Sequence, residues 1–258
     1  MTADVPLASK VELLVFLLDG SGSMCIEEYG GKDTFDGRTK GEHLQELVRG
    51  SLTKLIETKK NFVFRISFIY FAGQATTFET QENGTKIKWF KSKEALDFLK
   101  NPCDVAQGDG TSITRAFESA KILLDEFYEA KAKNILPEET PVTIFLFSDG
   151  QETMTSRDDC IKQINNILTH PLGPSLATIS FGNQADIDLL REVASEAQEK
   201  HELAIYLDPK LSKYMENEQG EVKKLFLRGT DKNILTEDLY TIVRRFVDTL
   251  SQSTPKRA

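Results

Sequence analysis

No apolar run in this chain approaches the ~20 residues that a membrane-spanning helix needs, so no membrane partner is expected. Positive charge is in deficit: 32 Lys and Arg stand against 40 Asp and Glu, a formal net charge of −8. Sequence-independent nucleic-acid binding needs a cationic surface, so nucleic acid is not an expected partner either. Cysteine is scarce. Three of them in a 258-residue chain, an odd number, do not make a disulfide framework. With no C-x-x-C pair and no histidine close in sequence to Cys25, the residues Cys25, Cys103 and Cys160 read as unpaired, reduced thiols. The histidines His43, His170 and His201 sit on polar or helix-edge stretches without ligand spacing. The opening MTADVPLASK lacks a basic segment followed by an apolar one, so no signal peptide is expected. Together these absences predict a cytoplasmic protein.

What the chain does have is a buried-strand pattern that ends on hydroxyls. Val11–Leu18 is continuous and aliphatic, as in a strand covered on both faces. It stops at Asp19-Gly20-Ser21-Gly22-Ser23, with oxygen donors at i, i+2 and i+4 on a Gly-loosened loop. Such donors suit a hard divalent cation, and open α/β sheets place their ligands at that end of a strand. Gly108-Asp109-Gly110-Thr111-Ser112 is a second Gly-rich loop, and it opens a strong helical pattern. Val142–Phe147 is a second buried strand, and it ends on Ser148-Asp149-Gly150. Each piece has a plainer interpretation. D-G-S-G and D-G are ordinary turn sequences, and Thr111 suits the N-cap of the helix that follows it. Their joint occurrence, in order and in the right strand-end and helix-start contexts, favours a site.

Asp19, Ser21, Ser23, Thr111 and Asp149 match the metal-ion-dependent adhesion site (MIDAS) of the von Willebrand factor A (VWA) family, which this chain resembles over roughly residues 10–208. The kinship is with the intracellular, stand-alone type, loosely TerY-like. The resemblance implies a doubly wound, Rossmann-like α/β fold. Its mainly parallel sheet would have six strands, one of them a short antiparallel edge strand, with helices on both faces. It also implies that Ser21, Ser23 and one of Thr111 or Asp149 touch the metal directly, while Asp19 and the remaining residue act largely through water. The ion is expected to be Mg²⁺, with Mn²⁺ or Ca²⁺ admissible. The absence of His or Cys from the donor set disfavours zinc. The open sixth position would take a Glu or Asp of a partner protein.

The whole chain, 1–258, reads as one such domain. Strands are expected at Val11–Asp19, Phe62–Ala72, Ala75–Glu79, Val142–Phe147, Leu176–Phe181 and Leu203–Leu207, with a further short one near Lys86–Phe90. Helices are expected at His43–Lys59, Lys93–Leu99, Ser112–Lys133, Arg157–Leu168 and Ile187–Lys200. Cys25–Gly41 reads as a long loop beside the site, with Tyr29 and Phe35 as candidate contact residues. Beyond the core, 209–235 is an extension, 236–251 a final helix (Glu237–Ser251) and 252–258 a disordered tail. Of the acids near the motif, Glu152 is expected to face solvent, and Asp109 is left open.

The function expected is therefore a metal-dependent protein-binding module and not an enzyme. A scaffold that uses the metal for rigidity is the alternative. A phosphatase-like enzyme needs D-x-D, and here Ser21 stands where the second acid would be; a hydroxyl cannot serve as that general acid. No nucleophile elbow, P-loop or histidine triad is present.

Overall fold

The computed structural model describes residues 10–31, 37–59, 62–82, 84–132, 140–148, 152–180, 188–190, 192–193 and 204–207. Its first strand, β1 (Lys10–Asp19), pairs in parallel with β2 (Phe62–Phe71) on one side and with β7 (Val142–Ser148) on the other. Beyond β7 lie β8 (Ser175–Ser180) and β9 (Ala204–Leu207), both parallel. Beyond β2 lies the short antiparallel β3 (Ala75–Thr77), giving the order β3-β2-β1-β7-β8-β9. Chain order thus runs outward in one direction from β1 and in the other from β7. The carboxyl ends of β1 and β7 flank the switch point, where a doubly wound sheet opens a crevice.

Between β3 and the next helix the chain makes a separate hairpin, β4 (Thr80–Glu82) with β5 (Thr85–Ile87). A two-residue strand, β6 (Phe90–Lys91), then returns to pair antiparallel with Arg65 and Ile66 of β2. The short strand expected near Lys86–Phe90 is thus split: Thr85–Ile87 belongs to the hairpin, and Phe90–Lys91 joins the sheet as its seventh member. The other expected strands stand within two residues of their expected ends.

The alternation of β1 explains why the whole run is apolar. Leu13, Val15 and Leu17 face a core shared with α5 (Ile113–Ala132) and α6 (Arg157–Leu168). Leu14, Phe16 and Leu18 face a second core, shared with α2 (Lys40–Thr58) and α3 (Ser92–Phe98). In that second core the Phe16 ring stacks on Phe145 at 5.1 Å between centroids. Helix α2 begins three residues earlier than its apolar stripe suggests. Thr39 and Glu42 form a capping box: the Thr39 hydroxyl accepts from the Glu42 N–H at 3.1 Å, and the Glu42 carboxylate accepts from the Thr39 N–H at 2.7 Å. The expected loop Cys25–Gly41 is partly helical too, with α1 (Gly22–Cys25) and a 3₁₀ turn at Glu27–Tyr29. A further short helix, α4 (Pro102–Val105), starts from an Asn101 cap with proline at its first position.

Of the expected helix Ile187–Lys200, the backbone is helical at 188–190 and 192–193, and Leu189, Leu190 and Val193 are buried. Phe35, the extension 209–235, the final helix Glu237–Ser251 and the tail lie outside the described residues. Among the described residues no helix is long and apolar enough to cross a membrane.

A titratable side chain other than Asp19 is also buried within β1. Glu12, near the amino end of β1, is 1% exposed, and its carboxylate accepts from the Thr143 hydroxyl at 3.3 Å. Burial pushes its pKa from 4.5 up to about 8, against the smaller opposing effects of that hydrogen bond and of the Lys59 charge. Its proton is therefore held more tightly in the folded chain than in the unfolded one. The stabilisation from that proton is complete below about 4.5 and is lost as pH rises toward 8. Glu12→Gln should abolish this dependence. Urea unfolding is expected to show the variant gaining on the wild type by about 2 kcal/mol or more between pH 4.5 and 8. A difference that stays flat across that window would contradict a buried, neutral Glu12.

Candidate functional site

Asp19, the last residue of β1, is fully buried at 0% exposure. Both of its carboxylate oxygens are held. Oδ1 accepts from the Ser21 backbone N–H at 2.8 Å, the side-chain-to-backbone bond of an Asx turn. Oδ2 accepts from the Ser148 hydroxyl at 2.6 Å. Ser148 is the last residue of β7, so this bond ties the two strands together at the switch point. The sequence shows Ser148 in plain view, but its role follows only from the pairing of β1 with β7. A hydroxyl ending a buried strand beside the carboxylate strand was the available signal.

The chain then turns into α1. Gly20 is required here by contact: a Cβ at that position would lie 2.4 Å from the Pro102 carbonyl oxygen and 2.6 Å from the Ala106 Cβ. Helix α4 thus sits directly on the turn. Ser21 is buried, Ser23 is half-buried, and their hydroxyl oxygens are 3.1 Å apart. The Lys40 ammonium, from the start of α2, donates to the Ser23 carbonyl at 2.9 Å and ties α1 to α2.

The second loop is brought alongside by β2. The Gly20 N–H donates to the Phe71 carbonyl and the Ser112 N–H to the Ala72 carbonyl, each at 2.8 Å, so consecutive carbonyls hold the two loops. Gly73 is also a close approach, since a Cβ there would lie 2.2 Å from the Asp109 carbonyl oxygen. Thr111 is buried, and its backbone is clamped by Thr153. Its N–H donates to the Thr153 hydroxyl at 2.8 Å, and the Thr153 N–H donates to its carbonyl at 2.9 Å. The cap of α5 falls to other residues. The Ser112 hydroxyl accepts from the Arg115 N–H at 3.3 Å, and Glu152 accepts from the Thr114 N–H at 2.9 Å. Of the expected donors, Asp19, Ser21 and Ser23 share one turn, and Thr111 is on the adjoining loop. Asp149 lies outside the described residues.

Two expectations are corrected here. Glu152 does not face solvent. It is half-buried, and it accepts from the Thr114 hydroxyl at 3.1 Å and from the Met154 and Thr155 N–H groups at 3.0 and 3.1 Å. It braces the loop after β7 against the first turn of α5, where a carboxylate also meets the positive end of the helix dipole. The cysteines are not all free. Cys25 and Cys103 form a disulfide, joining the end of α1 to α4 across 78 residues of sequence. Counting cysteines cannot show this, because parity says nothing about two that meet in space. Cys160 remains a buried thiol, with its pKa pushed up to about 12, first by burial and then by the charge of Glu152. Asp109 is exposed.

Among the described residues, no group of three or more His, Cys, Asp or Glu could hold a metal. The expected donor set contains only two carboxylates, one of them Asp149; the rest are hydroxyls. The fit to a cation can be judged from the hydroxyl pair. Neighbouring ligands about 2.1 Å from an octahedral Mg²⁺ lie about 3.0 Å from each other, and the Ser21 and Ser23 oxygens stand at 3.1 Å. Hard oxygens, one buried carboxylate and this spacing fit a small dication.

Comparison with known proteins agrees with the fold. A family model, the von Willebrand factor type A domain, matches residues 14–214. No curated protein matches the chain. Among solved structures, the chain is similar to the PilB minor pilin of Streptococcus sanguinis (TM-score 0.58, 12% identity, covering 97% of this chain and 65% of that one). It is also similar to the pilus adhesin SpaC of Lactobacillus rhamnosus GG (0.56, 10%, 93% and 30%). A third is proximal thread matrix protein 1 of the mussel byssus (0.53, 13%, 93% and 48%). At such identities the likeness is one of fold. This chain spans less than two thirds of the length of each.

Two outcomes follow from this geometry. Glu152→Ala removes the acceptor from three N–H groups and a hydroxyl, and is expected to cost about 1–3 kcal/mol in urea unfolding. Alkylation of the denatured, unreduced chain should label Cys160 alone, and Cys25→Ser with Cys103→Ser should destabilise by about 2–4 kcal/mol. Labelling at all three cysteines would sink the pairing.

Proposed function

Because the chain belongs to the von Willebrand factor type A domain family, we propose that it is a metal-dependent protein-binding module whose MIDAS-type site captures a carboxylate of a partner protein. The observation that carries this reading is the buried Asp19 at the switch point, with the Ser21 and Ser23 hydroxyls 3.1 Å apart beside it. Ser21 and Ser23 would hold the ion through their hydroxyls, with Thr111 or Asp149 as the third protein ligand. Asp19 would act from the outer shell. Its oxygens are already occupied by the Ser21 N–H and the Ser148 hydroxyl, a role suited to orienting ligands and balancing charge. That α5 takes its cap from Ser112 and Glu152 supports a ligand role for the Thr111 side chain.

Mg²⁺ or Mn²⁺ suits the donor set, supplying a hard Lewis-acidic centre with a position left for an oxygen of the partner. Binding is the chemistry these residues support: their hydroxyl and carboxylate oxygens suit a cation, and the Ser148 hydroxyl that donates to Asp19 is fully buried, out of reach of a substrate. The expectation of a cytoplasmic protein rested partly on free cysteines. With Cys25 and Cys103 joined, an oxidising compartment suits the chain better, because such bonds are rare in the cytosol.

The test is metal binding by calorimetry. Asp19→Asn keeps the shape and removes the charge, and is expected to weaken Mn²⁺ binding at least roughly 10–100-fold. Thr111→Ala should weaken it as well. Unchanged Mn²⁺ affinity in both variants would remove the site. Partner capture that persists in EDTA, with metal binding intact, would instead favour a scaffold.

A further inference from the structure

Among the described residues, five large apolar side chains are exposed: Ile26, Tyr29, Ile122, Tyr128 and Met154. Three of them touch the metal-site loops. The Tyr29 ring and the Ile26 side chain lie against Gly22, between Ser21 and Ser23: a Cβ on Gly22 would be 2.9 Å from the ring and 3.6 Å from the Ile26 Cδ1. Met154 lies against Gly110, the residue before Thr111, with its sulfur 2.8 Å from where a Cβ would stand. Yet Ile26, Tyr29 and Met154 remain 45, 61 and 48% exposed. Apolar surface therefore stands against the Ser21–Ser23 turn and against the Thr111 loop.

Among the described residues, exposed acids stand on the same loops. Glu27 and Glu28 lie between Ile26 and Tyr29, Asp104 is on α4 above Gly20, and Asp109 precedes Gly110; all are exposed. Two described cations near the loops are engaged by backbone carbonyls. The Lys40 ammonium donates to the Ser23 carbonyl, and the Arg115 guanidinium donates to the Gly73 carbonyl at 2.7 Å.

We infer that the partner segment is a single carboxylate flanked by apolar and basic side chains, not an acidic run. This rests on the metal reading above and specifies what surrounds the captured carboxylate. One carboxylate enters at the metal, where the dication outweighs the collar. A second acid placed near Glu27, Glu28, Asp104 or Asp109 is repelled. A lysine or arginine in that place is attracted. Apolar neighbours cover Tyr29, Ile26 and Met154, and an aromatic and an adaptable thioether are side chains that carry binding energy well.

The experiment uses the full chain, saturating Mn²⁺ and three fluorescent peptides read by anisotropy: Gly-Leu-Lys-Glu-Lys-Leu-Gly, Gly-Ser-Ser-Glu-Ser-Ser-Gly and Gly-Asp-Ser-Glu-Ser-Asp-Gly. The first is expected to bind about ten-fold or more tightly than either of the others. Tyr29→Ala with Met154→Ala should erase most of its advantage over the serine peptide. Glu27→Lys with Glu28→Lys should close most of the gap between the serine and aspartate peptides. Tyr29→Ala with Met154→Ala should leave Mn²⁺ affinity unchanged, measured separately by electron paramagnetic resonance, and the Glu27→Lys, Glu28→Lys variant is compared at Mn²⁺ concentrations that the same measurement shows to be saturating for it. Equal affinities for the three peptides, no detectable binding of the first, or a preference that survives Tyr29→Ala with Met154→Ala would overturn the inference while leaving the metal site standing. Failure of Mn²⁺ itself to bind would overturn both.

Discussion

The arrangement depends on one buried carboxylate. Asp19 has no exposed surface, and a charge in that position is costly unless its oxygens are satisfied. They are satisfied by the Ser21 N–H and by the Ser148 hydroxyl. The first bond sets the turn that brings the Ser21 and Ser23 hydroxyls together. The second spans from β1 to β7, so the turn is anchored to the sheet on both sides of the switch point. The second bond can form only where β1 and β7 are adjacent and end at the same level. Their register provides this, with Leu18 opposite Phe147 and Asp19 and Ser148 following.

That register is itself a consequence of burial. A strand with apolar side chains on both faces cannot slip by one residue without exchanging its two cores. On one face Leu13, Val15 and Leu17 meet α5 and α6; on the other Leu14, Phe16 and Leu18 meet α2 and α3. The aliphatic run that looks featureless in the sequence is what aligns the polar residue at its end. Around it, close backbone contacts do the rest. Helix α4 lies on Gly20, the Asp109 carbonyl lies on Gly73, and the disulfide joins α1 to α4. A side chain at either glycine would push apart the loops that hold the donors.

Much of this was legible in the sequence, for a physical reason. The long strands and helices are periodic over many residues, so Arg157–Leu168 is found where expected and β1 ends at Asp19 as expected. The motif residues are legible because their type and order are chemical requirements. What escaped was decided by short pieces and by tertiary contact. The strand expected near Lys86–Phe90 breaks into two short pieces, α4 has four residues, and the start of α2 follows from a capping box, not from its apolar stripe. The roles of Ser148 and Glu152 needed knowledge of which strand and which helix lie beside them. The disulfide needed the same, since Cys25 and Cys103 meet only because α4 folds over the turn at Gly20.

The strand that ends on Asp19 also carries Glu12 near its other end, under a different electrical regime. With its pKa near 8, Glu12 keeps a proton at neutral pH that the unfolded chain has released. On this account the folded protein at pH 7 is about one unit less negative than the formal −8 of the sequence. Folding near neutral pH therefore draws a hydrogen ion out of solution. The heat of unfolding measured there contains the ionisation enthalpy of whatever buffer accepts that ion, so it changes with the buffer at constant pH.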